Sequence, residues 1–241
     1  MAEFTDDAIV LDTIPYRDRH QIVSVIAREH GVVRGVLRRA RGGKAPLAAA
    51  TQLLSLVRVE VWQGAQAELA TFRRVEALRP SFALGSDLAR SAAATVVVEL
   101  ILTFCPPGDP LPRQFRLADA AARALLDGRP PAAVVAYVEL WVLGLGGVLP
   151  PLDACSVCGA PLKGGFRSAA ADGQPLCPSC AASGLPLVDA ASMEFLAACL
   201  EHPPDRLTSP PPQAAARWLD RLVRAEAHRH LKALDFFHRY S

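Results

Sequence analysis

The sequence predicts an α+β, multidomain chain. A small β-barrel is expected over residues 1–79, and an α-helical domain over 80–241 with a four-cysteine insertion at 152–186. Three observations point there. Short β-branched runs with period-two alternation crowd the N-terminal part. Longer apolar segments at helical spacing fill the rest. Two C-x2-C pairs interrupt the second half.

The strands come first. Ala8–Leu11 is a short apolar run, and Ile22–Ala27 and Val32–Leu37 flank the turn Glu29-His30-Gly31 as a hairpin. Val57, Val59 and Val61 alternate with Arg58, Glu60 and Trp62 until Gln63-Gly64 breaks the pattern. Glu68–Glu76 resumes it, with Leu69, Thr71 and Arg73 on one face. Five short strands in so short a segment suggest a closed sheet, because closure removes exposed edges.

The helices follow Arg79-Pro80. Helical spacing predicts Asp87–Phe104, Pro112–Leu126, Pro131–Leu149, Ala190–Leu200 and Pro212–His230. Residues 152–186 read as irregular. The run from Ala132 to Leu149 approaches the length of a membrane span, but it carries Glu139 and three glycines. A central glutamate costs about 2.5–3.5 kcal/mol on insertion, so a buried helix is expected instead. The first 30 residues hold no apolar run long enough for a signal peptide.

Apolar residues make up 51% of the 241 and charged residues 21%, which excludes a disordered chain. Net charge is only +2, so the total does not announce a nucleic-acid binder. Its distribution is more informative. Residues 17–44 hold eight basic side chains against Asp18 and Glu29.

Cys155, Cys158, Cys177 and Cys180 form C-x2-C-x18-C-x2-C, a spacing that suits zinc. Two intervening residues let both sulfurs of a tight turn reach one ion, and two turns complete a tetrahedron. Gly159 would help the first turn bend back, and Asp172-Gly173 is a hairpin signal in the spacer. Four sulfurs leave no open position, so one structural zinc is expected rather than a catalytic one. A redox pair would need a βαβ setting, which neither motif has. Cys105 and Cys199 sit in apolar helices as expected buried thiols.

Arg34, Arg38, Arg39, Arg41 and Lys44 run from a strand into a glycine-containing loop. Such a cluster beside a barrel suits phosphate contact, against the plainer reading of a solvated loop. Arg17 and Arg19 are weaker candidates for the same role. Few stacking aromatics are available: Phe4, Tyr16, Trp62 and Phe72, some of which must be core. Arg217, Arg221, Arg224 and His228 form a second basic row along the last long helix, with Trp218, Leu222 and Ala225 expected inward. That row is read as a solvated face, with docking of an acidic partner as the sharper alternative.

No P-loop, dinucleotide fingerprint, H-E-x-x-H or G-x-S-x-G occurs, so no enzyme activity is expected.

Taken together, these residues resemble the RecO family of bacterial DNA repair and recombination mediators. The resemblance runs the whole length. It rests on Ala8–Leu11, Tyr16, Gly31 and Gly35 ahead of the basic loop, and most of all on the run from Tyr137 to Leu152 leading into Cys155 and Cys158. Gly173–Cys180 and the closing stretch from Leu231 to Tyr240 add to it. The chain departs from the family pattern at Asp18, where glutamate is usual.

The resemblance implies an N-terminal OB-fold, a helical domain with a zinc insertion, and a cytoplasmic, nucleoid-associated protein. It implies binding of single- and double-stranded DNA and annealing of complementary strands. Implied partners are RecR, the acidic C-terminal tail of the single-stranded-DNA-binding protein and, indirectly, RecA; no membrane is implied. Two rival expectations stand beside it: a zinc-ribbon interaction module whose basic loop binds RNA or protein, and a zinc-dependent enzyme, which would require an open coordination site.

Overall fold

The computed structural model describes residues 2–38, 45–65, 67–105, 109–168 and 173–240. Five strands open the chain: β1 (Ala2–Tyr16), β2 (His20–Ala27), β3 (Gly31–Leu37), β4 (Leu56–Gln63) and β5 (Ala70–Arg79), with a short helix α1 (Ala45–Ala50) before β4. They pair in the order β1-β2-β3-β5-β4, and β4 returns to β1, so the sheet closes on itself. Every pairing is antiparallel except β3 with β5, which is parallel over Gly35–Leu37 and Ala70–Phe72.

Strand alternation divides the apolar residues between two cores. Val23, Val25, Ala27, Val57, Val59, Val61 and Phe72 fill the interior of the ring. Ile9, Leu11 and Ile26 face outward and join the core of the helical body. The middle of β1 is therefore buried on both sides, which is why Ala8–Leu11 reads as a continuous apolar run rather than an alternating one. The strand itself is longer than that run. Its polar N-terminal half pairs with β4 and is pinned by Asp7 to Arg58 at 2.9 Å. Its register shifts between Val10 and Asp12 where it turns toward β2.

The helical body holds α2 (Leu88–Phe104), α3 (Pro112–Leu126), α4 (Pro131–Leu145), α5 (Ala190–Glu201), α6 (Gln213–Glu226) and α7 (Lys232–Tyr240). Asp87 caps α2 by accepting the Arg90 N–H at 2.8 Å. The apolar α4 lies at the centre, packed by α2, α3, α5 and α6. Three small strands, β6 (Gly165–Ser168), β7 (Pro175–Leu176) and β8 (Leu187–Asp189), form a sheet in the order β7-β6-β8 between α4 and α5. The segment read as irregular thus contains a hairpin.

Two helix ends differ from the sequence expectation. The helix expected over Pro131–Leu149 stops at Leu145. Gly147 takes φ +73°, and the N–H groups of Val148 and Leu149 both return to the Leu143 carbonyl. The helix expected over Pro212–His230 stops at Glu226. His228 adopts φ +48°, and the chain restarts as α7. No glycine marks this break; the start of α7 is held from a distance by Glu99 of α2, whose Oε2 accepts the Ala233 and Leu234 N–H groups at 3.0 and 3.2 Å. Among the described residues, no helix is long and apolar enough to cross a membrane.

Candidate metal centre and nucleic-acid interface

Each cysteine pair sits on a tight turn. The Gly159 N–H donates to the Cys155 carbonyl at 2.9 Å, and Gly159 takes φ +71°, as a backbone doubling back requires. In the second turn the N–H groups of Cys180 and Ala181 donate to the Cys177 carbonyl at 3.1 and 3.0 Å. The Ser156 N–H, donating to Pro175 O at 2.9 Å, ties one turn to the other. Asp172, expected in the hairpin turn, lies outside the described residues; Gly173 takes φ +65°.

The turns bring the four sulfurs together. The Sγ atoms of Cys155, Cys158, Cys177 and Cys180 all lie within 4.8 Å of one another, and those of Cys158 and Cys177 are 3.7 Å apart. A tetrahedron with zinc–sulfur bonds of about 2.3 Å has edges of about 3.8 Å, so the donor set fits a zinc ion. Two of the thiols shift in opposite directions. Hydrogen bonds from the backbone of Cys177, Cys158 and Val157 pull the Cys155 thiol down to about 6. Hydrogen bonding with Cys158 and Cys177 pushes Cys180 up to about 12. Cys105 and Cys199 lie elsewhere, buried, and burial pushes both thiols up to about 12.

The four-cysteine segment rests on α6. Phe166 of β6 meets Trp218 edge-on at 5.3 Å, and the Trp218 indole N–H donates to Gly173 O at 3.0 Å.

Three of the basic candidates, Arg17, Arg34 and Arg38, fall in two clefts along the outer side of β3. Arg38 and Arg17 line a cleft of about 420 Å³ with Tyr16, His20, Val36, Leu69 and Thr71. This brings the β1–β2 turn against the start of β5. Arg17 sits at φ +52° with its guanidinium 5.1 Å from the Tyr16 ring centroid. Arg34 lies two steps of alternation back along β3 and lines a larger cleft of about 910 Å³ with Phe4, Ser24, His30 and Glu68. Arg19 is exposed at the β1–β2 turn and lines neither cleft. Arg39, Arg41 and Lys44 lie outside the described residues.

The aromatics sort clearly. Phe72 is buried inside the ring, and Trp62 is half-buried. Phe4 stacks on His30, 3.7 Å between centroids and 8° from parallel, and Asp6 holds His30 Nδ1 at 2.8 Å. Sequence reading misses His30 and His20, because neither carries a local motif; strand pairing alone brings them to the clefts.

The second basic row does not survive as a row. His228 lies beyond the helix end, and Arg224 is bound to Asp220 and Asp235 at 2.8 and 2.7 Å. Ala225 is exposed rather than inward; Leu219 and Val223 join Trp218 and Leu222 in the core. Arg217 and Arg221 remain on the surface side.

A further groove, of about 440 Å³, has no counterpart among the sequence expectations. It lies between α3 and α4, walled by Leu117, Tyr137, Trp141 and Leu145 with Arg113 and Arg116 at its rim. Its sequence signal is the pair Tyr137 and Trp141 one turn apart, opposite arginines beside an apolar face.

Fold and site together define a class: a closed five-strand ring fused through a shared core to a helical body that carries a four-thiol cluster with the geometry to hold a metal ion. The chain belongs to the recombination protein O family. Residues 1–81 match the family model described as "Recombination protein O N terminal", and residues 85–236 match "Recombination protein O C terminal". Among its relatives, the DNA repair protein RecO of Pelobacter propionicus is 32% identical over 240 residues, covering 97% of this chain and 96% of that protein. That of Symbiobacterium thermophilum is 34% identical over 190 residues, 76% of this chain and 74% of its own. That of Cutibacterium acnes is 32% identical over 208 residues, 83% of each.

Proposed function

We propose that this chain is a non-enzymatic DNA repair and recombination mediator, acting in the cytoplasm at the nucleoid. It binds single- and double-stranded DNA, anneals complementary strands, and with RecR helps to load RecA onto DNA coated by single-stranded-DNA-binding protein. Family membership supports the repair role. The observation that carries DNA contact is the convergence of Arg17 and Arg38 beside Tyr16 in one cleft. In our reading the ring is an OB-fold, whose β1–β2 and β4–β5 loops flank the oligonucleotide face.

Annealing on such a surface needs no nucleotide. Cations that neutralise two phosphate backbones reduce their repulsion, and base pairing supplies the drive. Tyr16 offers one ring for stacking, so electrostatics carries most of the affinity. Cys155, Cys158, Cys177 and Cys180 would hold one zinc ion, which supplies cross-linking of the two turns rather than chemistry. The groove between α3 and α4 suits the acidic tail of single-stranded-DNA-binding protein: arginines at the rim for carboxylates, and an apolar floor for a hydrophobic side chain.

The test is titration of a fluorescent single strand with purified protein over a salt series, followed by annealing of complementary strands. Affinity should fall steeply with salt, and annealing should proceed without nucleotide. Absence of binding at low salt would overturn the reading.

A further inference from the structure

A groove of about 500 Å³ runs between β8 and α6 and shares no lining residue with the α3–α4 groove. One wall is Pro186, Leu187 and Val188; the other carries Arg217 and Arg221. Leu187 is 51% exposed, a large apolar side chain left open beside two guanidinium groups. Among the described residues neither arginine meets a carboxylate. Asp220 also lines the groove, but its charge is already met. Arg224 Nε lies 2.8 Å and His238 Nε2 3.0 Å from its Oδ1. Burial alone would raise this carboxyl, yet those hydrogen bonds hold it below the ordinary range.

We infer that this groove docks an acidic peptide segment of a partner protein, with carboxylates on Arg217 and Arg221 and one apolar side chain against Leu187. Charge and shape both select this occupant. A nucleic-acid backbone would use the two cations but leave the apolar wall unmatched, and among the described residues the groove lining holds no aromatic ring for a base. A peptide that alternates acidic and apolar residues matches both walls.

The groove also gives the four-cysteine module a role beyond its own folding. Val188 pairs with Phe166 of β6, and Phe166 packs on Trp218 of α6, so the apolar wall is held in place by the hairpin between the two cysteine pairs. Neither wall includes Arg17 or Arg38, so the inference stands or falls apart from DNA binding.

The experiment uses the full chain carrying Arg113→Ala and Arg116→Ala, so that the α3–α4 groove does not report. Fluorescence anisotropy follows a labelled aspartate-rich peptide with one central leucine, and the same peptide with asparagine in place of aspartate. The acidic peptide should bind, and the asparagine control should not. Adding Arg217→Ala with Arg221→Ala should weaken binding about tenfold or more, as expected for two charge-assisted contacts. Leu187→Ser should weaken it several-fold, and neither change should shift the melting temperature, since these side chains lie at the surface. An affinity indifferent to both changes would overturn the inference. So would loss of oligonucleotide binding instead of peptide binding, which would make this a nucleic-acid face.

Discussion

The indole N–H of Trp218 donates to the carbonyl of Gly173 at 3.0 Å, joining the core of α6 to the hairpin between the two cysteine pairs. The packing is close on the glycine side. A Cβ at Gly173 would overlap the Leu222 side chain at Cδ2, and the residue takes φ +65°. Gly173→Ala should therefore destabilise the protein by about 2–3 kcal/mol, through overpacking and a left-handed backbone. Thermal unfolding measures it. The cysteines are untouched, so zinc content should be retained.

Cys177→Ser addresses the metal site directly. Removing one thiolate leaves three donors and undoes the link between the two turns. The melting temperature should fall and bound zinc should be lost, while oligonucleotide affinity changes little, because the arginine clefts lie on the ring. Metal analysis, unfolding and DNA titration on one preparation check all three. An unchanged melting temperature would count against a structural metal.

Arg17→Ala with Arg38→Ala empties one cleft of its two guanidinium groups. For a single strand, the slope of log affinity against log salt should lessen by about 0.7 for each phosphate no longer neutralised. Arg19→Ala, which lines neither cleft, should change the slope less. Equal effects would place the phosphates at the exposed turn rather than in the cleft.

Much of this organisation is legible in local sequence. Alternation at Val57–Val61 places the ring interior, the helix expected from Asp87 is found as α2, and the cysteine spacing marks the four-thiol cluster. Where local sequence fails, distant partners decide. Glu3 to Asp7, polar but for Phe4, hold no apolar run, yet pairing with β4 makes them a strand. Nothing between Glu226 and Lys232 announces a break, because the N-terminus of α7 is satisfied by Glu99, more than 130 residues earlier. The cleft containing Arg17 and Arg38 is partly visible: both residues are candidates on sequence grounds, but only the strand order puts them together with Tyr16. On the same grounds Glu139 argues only against a membrane span.

In the fold Glu139 is 2% exposed, and its Oε1 meets no hydrogen-bond partner among the described residues. Burial pushes its carboxyl well above the ordinary range, and the charge of Asp220 adds to this while Arg224 opposes it. The folded state therefore holds the proton more tightly than the unfolded chain. The contribution to stability is fully present below the unfolded value near 4.5 and is lost as pH rises toward the folded value. The loss can reach about 1.4 kcal/mol per pH unit within that window. Glu139→Gln keeps the shape of the neutral acid and has no proton to lose. Its melting temperature should match the wild type near pH 4.5 and exceed it increasingly as the pH is raised. Parallel melting curves of the two proteins from pH 4.5 to 8 would show instead that the carboxylate is paired in the native state.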